Sequence, residues 1–155
     1  MSDENAIKLA DTKVRKLEDG YWTAGYITAK DIELAAEYGF KSIVNILPKD
    51  DTDQHMTDSE AKQLAADAGL DYRYMPLYGH QVNNEYIATA YGAMVNELPE
   101  PVLTYCRSGT RVTLLWAMIR AGKFELEDLL DRALDNGYDI EVIKEDLEMM
   151  SRKRK

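Results

Sequence analysis

The chain has 155 residues, of which 45% are hydrophobic and 30% charged, and this composition is typical of one globular domain. Its net charge of −9 argues against nucleic-acid binding, because phosphate contacts need clusters of Lys and Arg. No run of about 18 apolar residues predicts a membrane span, and the acidic start Met1–Glu4 does not resemble a signal peptide. A single cysteine excludes an internal disulfide, so we expect a cytoplasmic protein without a membrane partner.

Composition divides the chain into three parts. Residues 1–20 are mostly polar and end at the turn signal Asp19–Gly20, which predicts an N-terminal polar segment. Residues 21–150 carry the apolar segments of one α/β domain. Residues 151–155 contain the cluster Arg152–Lys155 and are predicted to form a solvated basic tail, with docking to an acidic partner as the alternative.

Strand and helix signals alternate through the middle of the chain. Runs rich in β-branched and aromatic residues predict strands at 21–27, 42–47, 72–77 and 102–105. Capping residues and helical spacing of apolar positions predict helices that begin at Thr28, at Asp58 or Ser59, at Asn83 or Asn84, and at Val112, with two more around 126–133 and 140–150. This order predicts a single-domain α/β fold with a central, mainly parallel sheet of four to five strands flanked by helices.

The only cysteine lies between the last predicted strand and a helix. Ligands bind at the carboxyl ends of strands in such sheets, and N–H groups at a helix start attract anions and lower the pKa of a thiol. A buried structural cysteine is the alternative, but it leaves the polar residues that follow unexplained. The sequence therefore predicts a thiolate nucleophile in an anion-binding loop, formed by Cys106, Arg107, Ser108, Gly109, Thr110 and Arg111.

Two other polar loops follow predicted strands. His80 is a candidate general acid or substrate contact, and Arg107 points either to solvent or towards an anionic substrate. A second loop contains carboxylates at irregular spacing and no sulfur ligand, which favours a solvated loop over a metal site. Its polar residues are Asp50, Asp51, Asp53 and His55. We expect no cofactor.

Several segments resemble a known family. They are Ala24–Thr28, Gly39–Asn45, Ala68–Tyr72, Met75–Leu77 and Cys106–Arg111, the last followed by Leu115–Trp116 in a helix. Together these segments, over about residues 20–138, resemble the beta-lactamase hydrolase-like, phosphatase-like family, which has the fold of dual-specificity protein tyrosine phosphatases. The Cys-x4-Arg loop alone is similar to the active-site loop of rhodanese-type sulfurtransferases. The resemblance implies a phosphatase-like scaffold with Cys106 as its nucleophile.

Three departures from the phosphatase pattern bear on the reaction. Cys106 and Arg111 enclose four residues, whereas phosphatases have five; the shorter loop is associated with a persulfide sulfur and the longer with a tetrahedral oxyanion. Segment 77–85 has no Asp to protonate a leaving oxygen, a step that contributes about 10²–10⁴-fold. His80 or Glu85 could substitute, although Glu85 fits the first turn of a helix better. The residues that phosphatases place beside the loop, a Ser or Thr and a His, are replaced by Val112 and Tyr105.

These departures favour sulfur transfer. Cys106 would take sulfur from a small anionic donor and pass it from a persulfide to a thiol acceptor, and the departing sulfite or thiolate needs no general acid. A phosphatase that acts on phosphate esters through a phosphocysteine is the alternative, and a non-catalytic anion-binding or redox-sensing module is the third hypothesis. In each, the anion would be bound by Arg107, Ser108, Gly109, Thr110 and His80 beside Arg111. The sequence does not define the oligomeric state.

Overall fold

The sheet at the centre of the computed structural model, which describes residues 5–154, has six strands. They are β1 (Ala6–Lys8), β2 (Lys13–Glu18), β3 (Tyr21–Ala24), β4 (Ser42–Asn45), β5 (Asp71–Tyr74) and β6 (Val102–Tyr105). Their order across the sheet is β1-β2-β3-β6-β4-β5. β3, β6, β4 and β5 are parallel, whereas β1 and β2 extend the β3 edge by antiparallel pairing. The sheet is thus mainly parallel but has more strands than predicted.

Six α-helices accompany the strands in the described part of the chain. They are α1 (Ala29–Tyr38), α2 (Asp58–Asp67), α3 (Glu85–Asn96), α4 (Thr110–Arg120), α5 (Leu126–Asp135) and α6 (Lys144–Lys153). α1 packs against α2, and α4 packs against α3, α5 and α6. The predicted α/β domain, with helices flanking a central sheet, is confirmed. Over residues 5–154, no helix is both long and apolar enough to cross a membrane.

The core lies around the central strand β6. All four residues of β3, β4 and β6 are buried, and burial of one large aliphatic side chain such as Leu103 stabilises the fold by about 1.5–3 kcal/mol. Trp116 and Leu115 of α4 are also fully buried. Because β6 is held on both sides by parallel neighbours, the residue that follows it, Cys106, has a rigid support.

Capping residues define where the first helices begin. Thr28 caps α1 through a reciprocal bond with Asp31, and Asn84 caps α3, both as predicted. α2 is capped by Thr57, which lies before the predicted position, because Thr57 and Glu60 exchange the same pair of bonds. These caps fix the loops that enter each helix.

Residues 5–20, which fall in the segment predicted to be polar and N-terminal, are part of the domain. Val14 and Leu17 of β2 are buried, while a bulge between Lys16 and Glu18 shifts the pairing with β3. The bulge places two buried residues three positions apart, so the alternating pattern of a strand is absent from the sequence. Residues 1–4 lie outside the described residues.

The turn between β1 and β2 is anchored by a buried carboxylate. Asp31 Oδ1 accepts the backbone N–H groups of Ala10, Asp11 and Thr12 at 2.9, 2.8 and 3.2 Å. The Thr12 hydroxyl lies 2.5 Å from Asp31 Oδ2 and 2.9 Å from the Tyr26 carbonyl oxygen. Asp31 is fully buried, so the turn is fixed against the start of α1.

The basic C-terminus is exposed at residues 152–154, as a solvated tail would be, but it also extends the last helix and contacts α4. α6 continues through Lys153, and Arg154 Nη1 donates to the carbonyl oxygens of Met118 and Ala121 at 2.6 and 2.9 Å. These are carbonyls at the end of α4, where a cation is favourable. Lys155 lies outside the described residues.

Candidate active site

Cys106 directly follows β6 at the carboxyl end of the parallel strands, as the sequence predicts. Its side chain is buried, with 1% exposed. Four residues later the chain is already helical: α4 begins at Thr110, two positions before the predicted Val112. Arg111 therefore lies in the first turn of α4, and the residues from Cys106 to Thr110, called here the cysteine loop, connect strand to helix.

The carbonyl groups of the cysteine loop are held by donors from outside it. Peptide carbonyls that pointed into the loop would repel an anion, so their direction decides whether the loop can bind one. The Tyr26 N–H donates to the Arg107 carbonyl at 3.2 Å, the Tyr138 hydroxyl to Ser108 at 3.1 Å, and the Thr23 and Thr113 hydroxyls to Gly109 at 3.1 and 2.7 Å. With three successive carbonyls so engaged, these carbonyl groups are held away from a ligand, and the N–H groups of the same peptides are directed the other way.

One loop N–H already contacts the sulfur. The Gly109 N–H donates to Cys106 Sγ at 3.2 Å. Gly109 has a left-handed φ of 96°, and a Cβ there would lie 2.2 Å from the Tyr138 hydroxyl. At Gly25 a Cβ would lie 2.8 Å from the Arg107 carbonyl oxygen. Both glycines therefore permit the close backbone approach that brings N–H groups to the thiol.

The predicted lowering of the thiol pKa is wrong for the unliganded loop. Burial raises the pKa of Cys106, although hydrogen bonds from the backbone of Val112, Gly109 and Arg111 and the charge of Arg111 act in the opposite direction. The loss of hydration on burial thus raises the pKa of the thiol more than the nearby N–H groups lower it.

Arg111 connects the cysteine loop to the segment after β5. Its Nη1 donates to the Leu77 carbonyl oxygen at 3.0 Å. A guanidinium has five N–H donors in a planar fork, so this bond leaves others for an oxyanion. The bond also places the beginning of segment 77–85 beside the cysteine loop.

The carboxylate-rich loop after β4 is exposed at Asp50, Asp53 and His55, in agreement with the predicted solvated loop, and its carboxylates also contact residues beside the cysteine loop. Asp53 pairs with Arg107 at 3.0 Å, and Asp51 accepts the Tyr26 hydroxyl at 2.9 and 2.8 Å. Burial, followed by the bond to Asp51, raises the pKa of Tyr26 to about 12. Arg107 Cζ lies 5.9 Å from the centre of the Tyr26 ring. Arg107 therefore points towards this loop.

The remaining predicted binding residues lie on the outside of the loops. Ser108 is exposed, and its hydroxyl lies 2.9 Å from that of Thr110. His80 is exposed on the 3₁₀ turn Gly79–Gln81 and stacks on Tyr78, with ring centres 6.0 Å apart. The binding roles of Ser108, Thr110 and His80 stay predictions.

Sequence reasoning missed the residues that hold the loop from outside. Thr23 lies on β3 and Thr113 on α4, and both are buried. Nothing in the sequence around either threonine indicates a contact with the cysteine loop. Tyr138 lies 30 positions from Ser108, between α5 and α6. Gly25, which interrupts the predicted first strand, was the one local signal of a close backbone approach.

The fold and this site define the class of the protein. A buried cysteine after the central parallel strand, a loop with engaged carbonyls and an Arg in the next helical turn form a phosphatase-like domain of the protein tyrosine phosphatase fold. Residues 13–123 match the family model of the beta-lactamase hydrolase-like protein, phosphatase-like domain. The chain belongs to this family.

A curated relative gives the same family. The beta-lactamase hydrolase-like protein of Agrobacterium fabrum is 27% identical over 130 residues, which cover 83% of this chain but 30% of the relative. The chain therefore spans less than a third of that relative's length.

Solved structures agree on the fold. A protein of Neisseria meningitidis, proposed to be a phosphatase, is 26% identical, covers 87% of this chain and 96% of its own, and has a TM-score of 0.77. A cysteine-to-serine variant of TpbA from P. aeruginosa, in complex with phosphotyrosine, is 13% identical, covers 91% of this chain and 89% of its own, and has a TM-score of 0.63. The sulfurtransferase prediction finds no support in these similarities.

Proposed function

We propose that the chain is a cysteine-dependent phosphatase that hydrolyses phosphate monoesters through a phosphocysteine on Cys106. The observation that carries this proposal is the set of outside donors that hold the carbonyls of Arg107, Ser108 and Gly109. They leave N–H groups around the sulfur, and phosphoryl transfer depends on such donors for its non-bridging oxygens. Membership of a phosphatase-like family favours phosphate over other tetrahedral anions.

In this mechanism Cys106 and Arg111 have separate roles. The phosphoryl group binds the loop N–H groups and the free N–H groups of Arg111. The thiol proton passes to a phosphate oxygen, and the thiolate then attacks phosphorus as the ester P–O bond breaks. Water next attacks the phosphocysteine, which releases phosphate and restores the thiol. Burial of Cys106 excludes bulk water from the first step.

Aryl phosphates are the substrate class we expect. The P. aeruginosa neighbour is described in complex with phosphotyrosine, and the rim of the present site contains the ring of Tyr26 next to Arg107. An aromatic leaving group is also a better anion than an alkoxide, which suits a site without an Asp in segment 77–85.

Hydrolysis of 4-nitrophenyl phosphate and of a phosphotyrosine peptide tests the proposal. Activity should be inhibited by vanadate and lost in Cys106→Ser, and rapid acid quenching should trap a phosphoryl adduct on Cys106. Arg111→Lys should raise KM, because an ammonium cannot donate two parallel bonds to the phosphate. Hydrolysis that persists in Cys106→Ser would contradict the proposal.

Sulfur transfer is the second candidate, on the specific ground that only four residues separate Cys106 and Arg111. Intact-mass measurement after treatment with thiosulfate or glutathione persulfide would show one added sulfur, absent from Cys106→Ser. A sulfur adduct together with thiosulfate:cyanide turnover, and no phosphatase activity, would favour this candidate. A reactive thiol without turnover on either substrate class would favour the non-catalytic module.

A further inference from the structure

We propose that Asp53, on the loop after β4, is the general acid of the phosphatase reaction. The assignment rests on the proposed function and concerns the proton that the leaving oxygen needs. It places the acid in residues 49–55, here called the carboxylate loop, rather than in segment 77–85.

Segment 77–85 offers no acid that contacts the cysteine loop. It contains no Asp, and its one carboxylate, Glu85, pairs with Lys153 of α6 at 2.6 Å. His80 is exposed and stacks on Tyr78. Among the described residues, neither Glu85 nor His80 forms a hydrogen bond or ion pair with the cysteine loop, so a carboxylate that does contact this loop is the better candidate for the acid.

A closed ring of hydrogen bonds joins the carboxylate loop to the cysteine loop. The backbone of Tyr26 donates to the Arg107 carbonyl, and the Tyr26 hydroxyl donates to Asp51. Asp51 Oδ1 accepts the Asp53 N–H at 3.0 Å, and Asp53 Oδ2 accepts Arg107 Nη2 at 3.0 Å. Each exposed contact is weak alone, but the ring of hydrogen bonds fixes the Asp53 backbone relative to Arg107, which follows Cys106.

Within the carboxylate loop, Asp53 is the best placed of the three aspartates. Asp50 is directed to the Tyr78 hydroxyl at 2.9 Å, and both oxygens of Asp51 are occupied by Tyr26. Asp53 contacts the cysteine loop itself through Arg107, and 63% of its side chain is exposed, so an incoming ester can reach it. Geometry therefore selects Asp53.

Each proton is accounted for in the two steps. As Cys106 Sγ bonds to phosphorus and the ester P–O bond breaks, the carboxylic acid of Asp53 gives its proton to the leaving oxygen, and the alcohol departs neutral. The Asp53 carboxylate that remains is paired by Arg107. In the second step that carboxylate takes a proton from water as the water oxygen bonds to phosphorus and the P–S bond breaks, and the Cys106 sulfur regains its own proton from the released phosphate.

Leaving-group dependence is the test. General acid help matters for a poor leaving group and little for a good one, so Asp53→Asn should lose at least about 100-fold in kcat/KM on phenyl phosphate and a phosphotyrosine peptide. On 4-nitrophenyl phosphate, whose phenol is far more acidic, the loss should be small. Asp50→Asn makes the same change of charge in the same loop and should keep the substrate dependence of the unaltered protein. Thermal unfolding of each variant checks that the fold is intact.

The outcomes separate this assignment from the proposed function. A loss in Asp53→Asn that is equal on all esters, or no loss, overturns the assignment while Cys106-dependent hydrolysis still supports the phosphatase. The same leaving-group dependence in Asp50→Asn also overturns it, because the effect would then follow loop charge. Absence of Cys106-dependent hydrolysis in the unaltered protein overturns both.

Discussion

Tyr138→Phe tests whether the engaged carbonyls create the anion site. The substitution keeps the ring and removes the hydroxyl that donates to the Ser108 carbonyl at 3.1 Å. One neutral hydrogen bond contributes about 0.5–1.5 kcal/mol net. If that energy serves to orient the Ser108–Gly109 peptide for anion binding, its loss corresponds to about a 2- to 10-fold weaker affinity.

Vanadate inhibition measures this affinity. The inhibition constant of Tyr138→Phe should rise by that factor, and KM for an aryl phosphate should rise more than kcat falls. Tyr74→Phe is the matched control, because the Tyr74 hydroxyl also donates to a backbone carbonyl, that of Leu47, at 2.6 Å and outside the cysteine loop. Tyr74→Phe should lose comparable stability without a change in vanadate affinity.

Two results would refute the reasoning. Unchanged vanadate affinity in Tyr138→Phe would mean that the Ser108 carbonyl keeps its direction without this donor. An equal loss of affinity in Tyr74→Phe would mean that the effect follows general stability rather than the orientation of one peptide.

Two further predictions concern pH. Burial acts to raise the pKa of Asp31, but hydrogen bonds from Thr12, Asp11 and Thr28 lower it overall. The Asp31 carboxylate therefore stabilises the fold above its unfolded pKa of about 3.9, and this stabilisation is lost as pH falls through the lowered native pKa. Asp31→Asn should reduce the urea-derived free energy of unfolding at pH 7 by about 1.5–3 kcal/mol, and the difference should shrink in acid; a constant difference contradicts the argument. Because burial raises the pKa of Cys106, its alkylation by iodoacetamide should increase with pH through a midpoint above that of free cysteine. A midpoint near neutrality would show that the loop N–H groups outweigh burial.

The position of Cys106 was predictable because its signals are local. The strand 102–105, the cysteine and the helix start are contiguous, and the carboxyl end of a parallel strand fixes where Cys106 lies. The pKa direction was not predictable, since the helix start is visible in the sequence but the depth of burial depends on packing by distant elements.

Contacts across long sequence separations account for most of what the sequence missed. Tyr138 and Ser108 are 30 positions apart, and Asp53 and Arg107 are 54. The strand β2 was missed for a different reason, because its bulge removes the alternation by which strands are recognised. The phosphatase-like scaffold was predicted from the resemblance to a known family, because local sequence patterns do not define it.

The anchored turn between β1 and β2 bears on the design of truncated fragments of the domain. The Thr12 hydroxyl lies 2.9 Å from the Tyr26 carbonyl oxygen, and the Tyr26 N–H donates to the Arg107 carbonyl, so Tyr26 contacts both this hairpin and the cysteine loop. A fragment that begins at residue 21 would keep every parallel strand but uncover the apolar surface against which Val14 and Leu17 pack. Such a fragment would also remove the contact between Thr12 and Tyr26, so the N-terminal hairpin is the first part of the chain to retain in any shortened version of the domain.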